Sequence, residues 1–216
     1  MLNQYFRKFP SRDYKRGDLV IRALDPVDKV FFLEKGLVRQ YALTAAGEEL
    51  TVHIFRSGAY FPLMLILSGT PNSYQFVAET EVNLREIPTE EMVQFLHRNP
   101  AFTFELLQKY AAGLNGLSVR LEKVMAAKSE ARVNEIIYYL GQKFGVNNEG
   151  KIVLPDIFTH KIIASLGGLS RETVSRQIEK LVRKGTVGYY KRKLVIKEMD
   201  VLKDSSETEA NEFLPE

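Results

Sequence analysis

Arg171, Glu172, Ser175 and Arg176 fall within six consecutive residues, RETVSR, that open a stretch of helical periodicity. An arginine fork can donate to both acceptors on a guanine edge, and a glutamate can accept from a cytosine amino group. Glu172 and Arg176 are four apart and share one helix face, with Arg171 at its N-terminal end. Val174, Ile178 and Leu181 recur on the opposite face, which is the pattern of a half-buried helix. This set of side chains suits the reading of base edges, with all four residues as candidate base contacts.

The elements that must position them span Thr159 to Lys184, THKIIASLGGLSRETVSRQIEKLVRK. The spacing predicts two short helices and a tight turn. Ala164 lets the helices cross closely, and Gly168 permits a backbone angle that other residues resist. Ser170 can cap the second helix, its hydroxyl accepting from an otherwise orphaned N–H. Ile163, Leu166 and Leu169 complete the inner faces. Such a helix-turn-helix presents the start of its second helix to the major groove. Gly185 ends that helix. Thr186 to Tyr190 and Leu194 to Ile196 predict a hairpin, with Lys191, Arg192 and Lys193 at its tip as a wing suited to phosphates. Thr159, His160, Ser170 and Thr173 are expected to join the wing on the DNA backbone.

Charge agrees. Residues 128–199 hold fourteen Lys or Arg against seven Asp or Glu, a net of +7, whereas the whole chain is only +3 (30 minus 27). A double-stranded polyanion is the partner this end implies.

The first hundred residues carry a different period. Leu19–Ile21, Val30–Leu33, Leu37–Tyr41, Leu50–Phe55 and Gln75–Val77 are short β-rich runs. Gly17, Gly36, Gly47, Gly58 and Gly69 punctuate them, the last four every eleven residues, which predicts an all-β roll. From Pro88 the period becomes helical, with a short helix over Pro88–Leu96 capped by Thr89 and a second opened by Pro100. Along that second helix, about 101–126, Leu107, Tyr110, Leu114, Leu117, Leu121 and Val124 alternate at spacings of three and four. Such a stripe either pairs with a second copy as a coiled-coil seam or packs on the chain's own roll; its regularity favours a homodimer. Gly113 and Gly116 interrupt the helix, either for close backbone approach or as a joint.

The motif LSRETVSRQIEKL, together with KRGDLVIR (15–22), KVFFLEKGLVRQYAL (29–43), AAGEELTVHIFRSGAYF (45–61) and the helix after Pro100, resembles the CRP/FNR family of bacterial transcription regulators over about residues 5–202. The resemblance implies an α+β chain: a double-stranded β-helix (jelly-roll) sensor domain over 1–100, a dimerisation helix over 101–127 and a winged helix-turn-helix over 128–202. It also implies a homodimer on a near-palindromic operator, with guanine-containing half-sites of TGTGA or TTGAT type, and RNA polymerase as a partner. Gln177 departs from the family's usual Leu or Ile.

The sensor loop departs further. Where relatives that bind cyclic nucleotides carry Gly-Glu and Arg-Ser, this chain has Phe61-Pro62 and Asn72-Ser73, with no cationic side chain from Ser57 to Glu79. A buried phosphate or dicarboxylate would then lack a counter-charge, so neither cyclic AMP nor 2-oxoglutarate is expected in the usual geometry. Tyr60, Phe61, Leu63, Met64, Leu65, Tyr74 and Phe76 either rim a pocket for an apolar or aromatic ligand or simply fill the roll.

Composition excludes several classes. The absence of cysteine removes disulfides, thiol catalysis and cysteine-held iron–sulfur clusters. His53, His97 and His160 are scattered and suggest neither a metal site nor a haem ligand, and no phosphate loop or catalytic constellation occurs, so no cofactor and no enzyme activity are expected. With no apolar run near 18 residues and no signal-like N-terminus, a soluble cytoplasmic protein without membrane contact is expected. The acidic segment 203–216 reads as a disordered tail. The competing reading is a β-roll ligand-binding or protein-interaction module whose DNA binding is secondary.

Overall fold

A computed structural model of the chain describes residues 5–126 and 129–203, the side chains of 119–126 excepted. It divides into two compact units, Met1–Ala111 and Ala112–Glu216.

The first unit is a β-roll of two four-stranded antiparallel sheets. One has the order β1-β8-β3-β6, with β1 Ser11–Tyr14, β3 Lys29–Lys35, β6 Tyr60–Phe61 and β8 Val82–Pro88. The other has the order β2-β7-β4-β5, with β2 Leu19–Ile21, β4 Leu37–Leu43, β5 Glu49–Arg56 and β7 Gln75–Ala78. Side chains alternate across a strand, so Phe31, Leu33, Phe61 and Leu84 of the first sheet meet Val38, Phe76 and Ala78 of the second in one core cluster. Val30 of β3 points the other way. It joins Phe6, Leu63, Ile87, Met92, Phe95 and Phe102 in a second cluster, which explains why β3 reads as a continuous apolar run. The β3–β4 turn needs a glycine: Gly36 has φ 95°, and a Cβ there would lie 2.4 Å from the Glu81 carbonyl oxygen.

Beyond the strands, this part of the chain carries α1 Leu63–Ser68, α2 Thr89–Arg98 and α3 Pro100–Ala126. α1 lies within the loop read from sequence as a pocket rim. Thr89 does not cap α2. It is the first helical residue, its N–H donates to the Asp28 carbonyl, and its buried hydroxyl makes no hydrogen bond. The division between units falls inside α3 rather than at either end, because Phe102, Leu106 and Tyr110, four residues apart on one face, pack into the second cluster of the roll.

The second unit packs α4 Ser129–Phe144, α5 His160–Gly167 and α6 Arg171–Lys184 with a sheet of order β11-β12-β10-β9. Its strands are β9 Val146–Asn148, β10 Lys151–Val153, β11 Val187–Tyr190 and β12 Lys193–Ile196. Among the described residues no helix is long and apolar enough to cross a membrane.

Candidate nucleic-acid interface

The turn between α5 and α6 forms as its residues dictate. Thr159 caps α5, its hydroxyl accepting from the Ile162 N–H, and Gly168 ends it in the left-handed region (φ 57°, ψ 41°). Ser170 caps α6 by accepting from the Thr173 N–H at 3.2 Å, and the Ser170 and Thr173 hydroxyls lie 3.0 Å apart. Val174, Ile178 and Leu181 are buried, while Arg171, Glu172 and Arg176 stand exposed on the other side. Gly167 also serves the close helix packing, since a Cβ on it would meet Ile136 of α4 at 2.6 Å.

Gln177 is buried and donates to Asn134 Oδ1 at 3.3 Å. The buried polar side chain at 177 is therefore met by a polar partner on α4, and the buried Ile178 supplies apolar packing beside it. Hydrogen bonds from Gln177 and then Lys180 hold the Glu130 carboxyl below the usual carboxylate range, tying the start of α4 to α6.

The wing forms as expected but with Lys193 inside β12, leaving Lys191 and Arg192 as its two-residue tip. Both have positive φ, 47° and 66°. Such a turn ordinarily selects Asn-Gly, and each L side chain held there costs about 1–2 kcal/mol. The double substitution K191N/R192G should raise the thermal stability of this unit by about 1–2 kcal/mol. It should at the same time weaken every DNA sequence alike and flatten the log–log salt slope by roughly 2. Thermal melts and salt titrations check the two effects separately.

A cleft of about 360 Å³ opens between the start of α5, the start of α6 and the wing, lined by Asp156, Thr159, His160, Lys161, Arg171, Tyr189, Arg192 and Leu194 among others. His160 forms its inner wall. Its Nδ1 lies 2.8 Å from Ser175 Oγ and its Nε2 2.7 Å from Tyr189 Oη. Two expectations change here. Both ring nitrogens of His160 are already engaged within the protein, and the Ser175 hydroxyl turns to His160 rather than standing with Arg171, Glu172 and Arg176. Lys161, two residues after the cap Thr159 and unnoticed in the sequence, lines the cleft instead.

Burial and then the nearby Arg171 guanidinium push the His160 imidazole below its ordinary range, with Glu179 pulling weakly the other way. The fold thus favours the neutral ring against Arg171 and Glu179 of α6 and Tyr189 of β11, with Lys161, Asp156 and Arg192 around the same cleft. A folded-state value below the unfolded one means the stabilisation is complete above about pH 6.5 and is lost as pH falls through the folded value. The melting temperature of this unit should therefore drop on acidification below pH 6.5, and H160Q should remove that part of the dependence.

The expected effector rim is not one pocket. Phe61 and Phe76 are fully buried and stacked with Phe55 (ring centroids 5.6 and 5.0 Å from Phe61), with Leu65 and Tyr74 against the same cluster. Tyr60 and Leu63 belong to the second cluster, and Met64 is exposed. Asn72 is a turn scaffold: its Nδ2 donates to the carbonyls of Arg22 and Tyr74, and its Oδ1 accepts from the Tyr74 N–H. Arg39 of β4 was overlooked in the sequence. It is buried and paired with Glu49 and Glu79, and its guanidinium covers the Tyr41 ring.

On α3, Leu107, Leu114 and Leu117 are exposed, at 60%, 66% and 43%. Tyr110 is corrected: it turns to the roll with Leu106, where burial raises its hydroxyl to about 12. Phe104, 60% exposed, takes its place on the outer stripe. The side chains of Leu121 and Val124, and all of 204–216 of the expected tail, lie outside the described residues. Among the described residues, nothing but the local backbone of α3 itself lies close to where a Cβ would stand on Gly113 or Gly116.

A β-roll followed by a helix-turn-helix with a basic wing defines a DNA-binding regulator with a sensor-type domain. Residues 11–99 match the cyclic nucleotide-binding domain, and residues 131–205 match the Crp-like helix-turn-helix domain. The global nitrogen regulator of Nostoc sp. is 28% identical over 185 residues, 85% of this chain and 83% of that protein. The transcriptional regulator SdrP of Thermus thermophilus is 27% identical over 90% of this chain and 93% of its own. The crystal structure of a CRP/FNR-family regulator from the same organism superposes with a TM-score of 0.74 at 26% identity, covering 92% and 98% of the two chains. The chain belongs to the CRP/FNR family, a family of transcription regulators rather than enzymes.

Proposed function

We propose that this regulator acts as a homodimer that reads a near-palindromic operator through Arg171, Glu172 and Arg176. The observation that carries the reading is the exposed face of α6 that bears those three residues, with Arg171 lining the same cleft as the cations Lys161 and Arg192. Base-edge chemistry on one helix beside cations suited to phosphates is the division of labour that sequence-specific DNA binding needs. One backbone phosphate fits the cleft, with the Thr159 and Ser170 caps orienting the helix starts on either side of it. Two copies joined along Phe104, Leu107, Leu114 and Leu117 would set their recognition helices on half-sites about 34 Å apart. RNA polymerase is the further partner, by resemblance.

The stacked Phe55, Phe61 and Phe76 and the scaffold role of Asn72 favour a protein that does not take cyclic AMP in the usual geometry and binds DNA without a small molecule. Selection of bound sequences from random duplex DNA, with no added ligand, tests the reading. Recovery of a tight palindrome is expected. Weak and unselective binding would sink the ligand-free reading and return attention to the roll.

A further inference from the structure

His160 is the first residue of α5, yet it reaches two other elements, Ser175 on α6 and Tyr189 on β11. A neutral imidazole carries one donor and one acceptor, and each hydroxyl can serve in either role, so both bonds hold in either tautomer. The geometry closes a triangle. α6 runs into β11 through the turn at Gly185, where the Thr186 N–H donates to the Leu181 carbonyl. Ser175 lies nine residues before the last helical residue, Lys184, about 14 Å along the axis. Tyr189 lies two residues before the wing tip at Lys191. The wing, which leaves α6 at Gly185, is thus tied a second time to the base-facing half of α6 by the His160 bridge.

We propose that His160 is a positioning residue: by fixing α6 and the wing in a single pose, it sets how strongly the operator is preferred over random DNA. The inference rests on the DNA-reading role proposed above. Phosphate contacts tolerate small displacements, whereas bidentate base contacts need their donors held within about half an ångström, so loosening the brace removes selectivity before it removes affinity. Ser175, by the same geometry, belongs to the brace and not to the base-reading set.

S175A, Y189F and H160F separate the possibilities. The first two delete a single oxygen each and should leave the thermal melt nearly unchanged at neutral pH. Affinities are measured at one fixed salt for the operator recovered by selection, for its single-position variants and for a scrambled duplex. Each substitution should lower the operator-to-scrambled ratio by roughly three- to tenfold, the worth of one ordinary hydrogen bond, with scrambled affinity held within about twofold. The loss in S175A should spread over the half-site, and H160F/S175A should be no worse than H160F. A wild-type ratio in all three variants overturns the proposal. So does an S175A loss confined to one base pair, which would make Ser175 a base reader, or an equal fall on both duplexes, which would make His160 a phosphate contact. A wild-type protein that selects no sequence at all overturns the DNA-reading function itself, and this inference with it.

Discussion

On the homodimer proposed above, L107E or L114E should shift the protein from dimer to monomer and lower operator affinity by about two to four orders of magnitude. Both leucines are more than half exposed on α3, three and ten residues beyond the equally exposed Phe104, so they mark a stripe that the chain's own roll does not cover. Burying one leucine contributes about 1.5–3 kcal/mol, and in a twofold seam each residue counts twice. A glutamate at either place instead brings two carboxylates toward a desolvated interface, which costs several kcal/mol. The effect on DNA follows from linkage rather than from contact. Two half-site readers on one body gain an effective concentration that monomers lack, and that gain of about 10²–10⁴ disappears with the dimer. Sedimentation equilibrium and titration on full and half operators measure the two effects. Because the substituted side chains are exposed in the single chain, the roll should melt as in the wild type. A dimer that survives both substitutions would place the interface elsewhere.

R176A should cost about 1–3 kcal/mol on the operator and relax the preference at a single base pair, leaving random DNA nearly unaffected. Arg176 stands exposed, four residues from Glu172 and clear of the buried Val174–Ile178–Leu181 face, so its removal leaves the helix packing intact. K191A is the contrasting case. It should weaken all sequences by a similar factor and reduce the salt slope by about 1, since a phosphate contact carries no base information. Titration of both variants against the operator and its single-position changes distinguishes the roles. Equal losses on specific and random DNA for both would overturn the assignment of base and phosphate contacts.

Periodicity and local chemistry made much of this protein legible in the chain alone. The cap at Ser170, the left-handed Gly168, the exposed Arg171, Glu172 and Arg176, the basic wing tip and the β character of the first hundred residues all depend on interactions spanning a few residues. Such interactions are decided by residue type and spacing. β8 (VNLREIP) escaped notice despite its alternating Val82 and Leu84, whereas other missed strands lacked a local signature. β1 (SRDY) is polar and forms only because β8 offers it an edge, and β6 is two residues long.

Whatever depends on which side of an element meets which neighbour was decided in three dimensions. A helix turns about 100° per residue, so Tyr110, which fits the heptad of α3 as well as Leu107 does, faces the roll once Phe102 and Leu106 have docked there. The aromatic loop read as one pocket rim is divided between two clusters, because neighbouring residues of a strand point to opposite faces. His160 and Ser175 are fifteen residues apart and Tyr189 is fourteen further on. No local rule predicts that one imidazole will bond to both hydroxyls. Only the packing of α5 against α6 and β11 brings them within 2.8 Å of it.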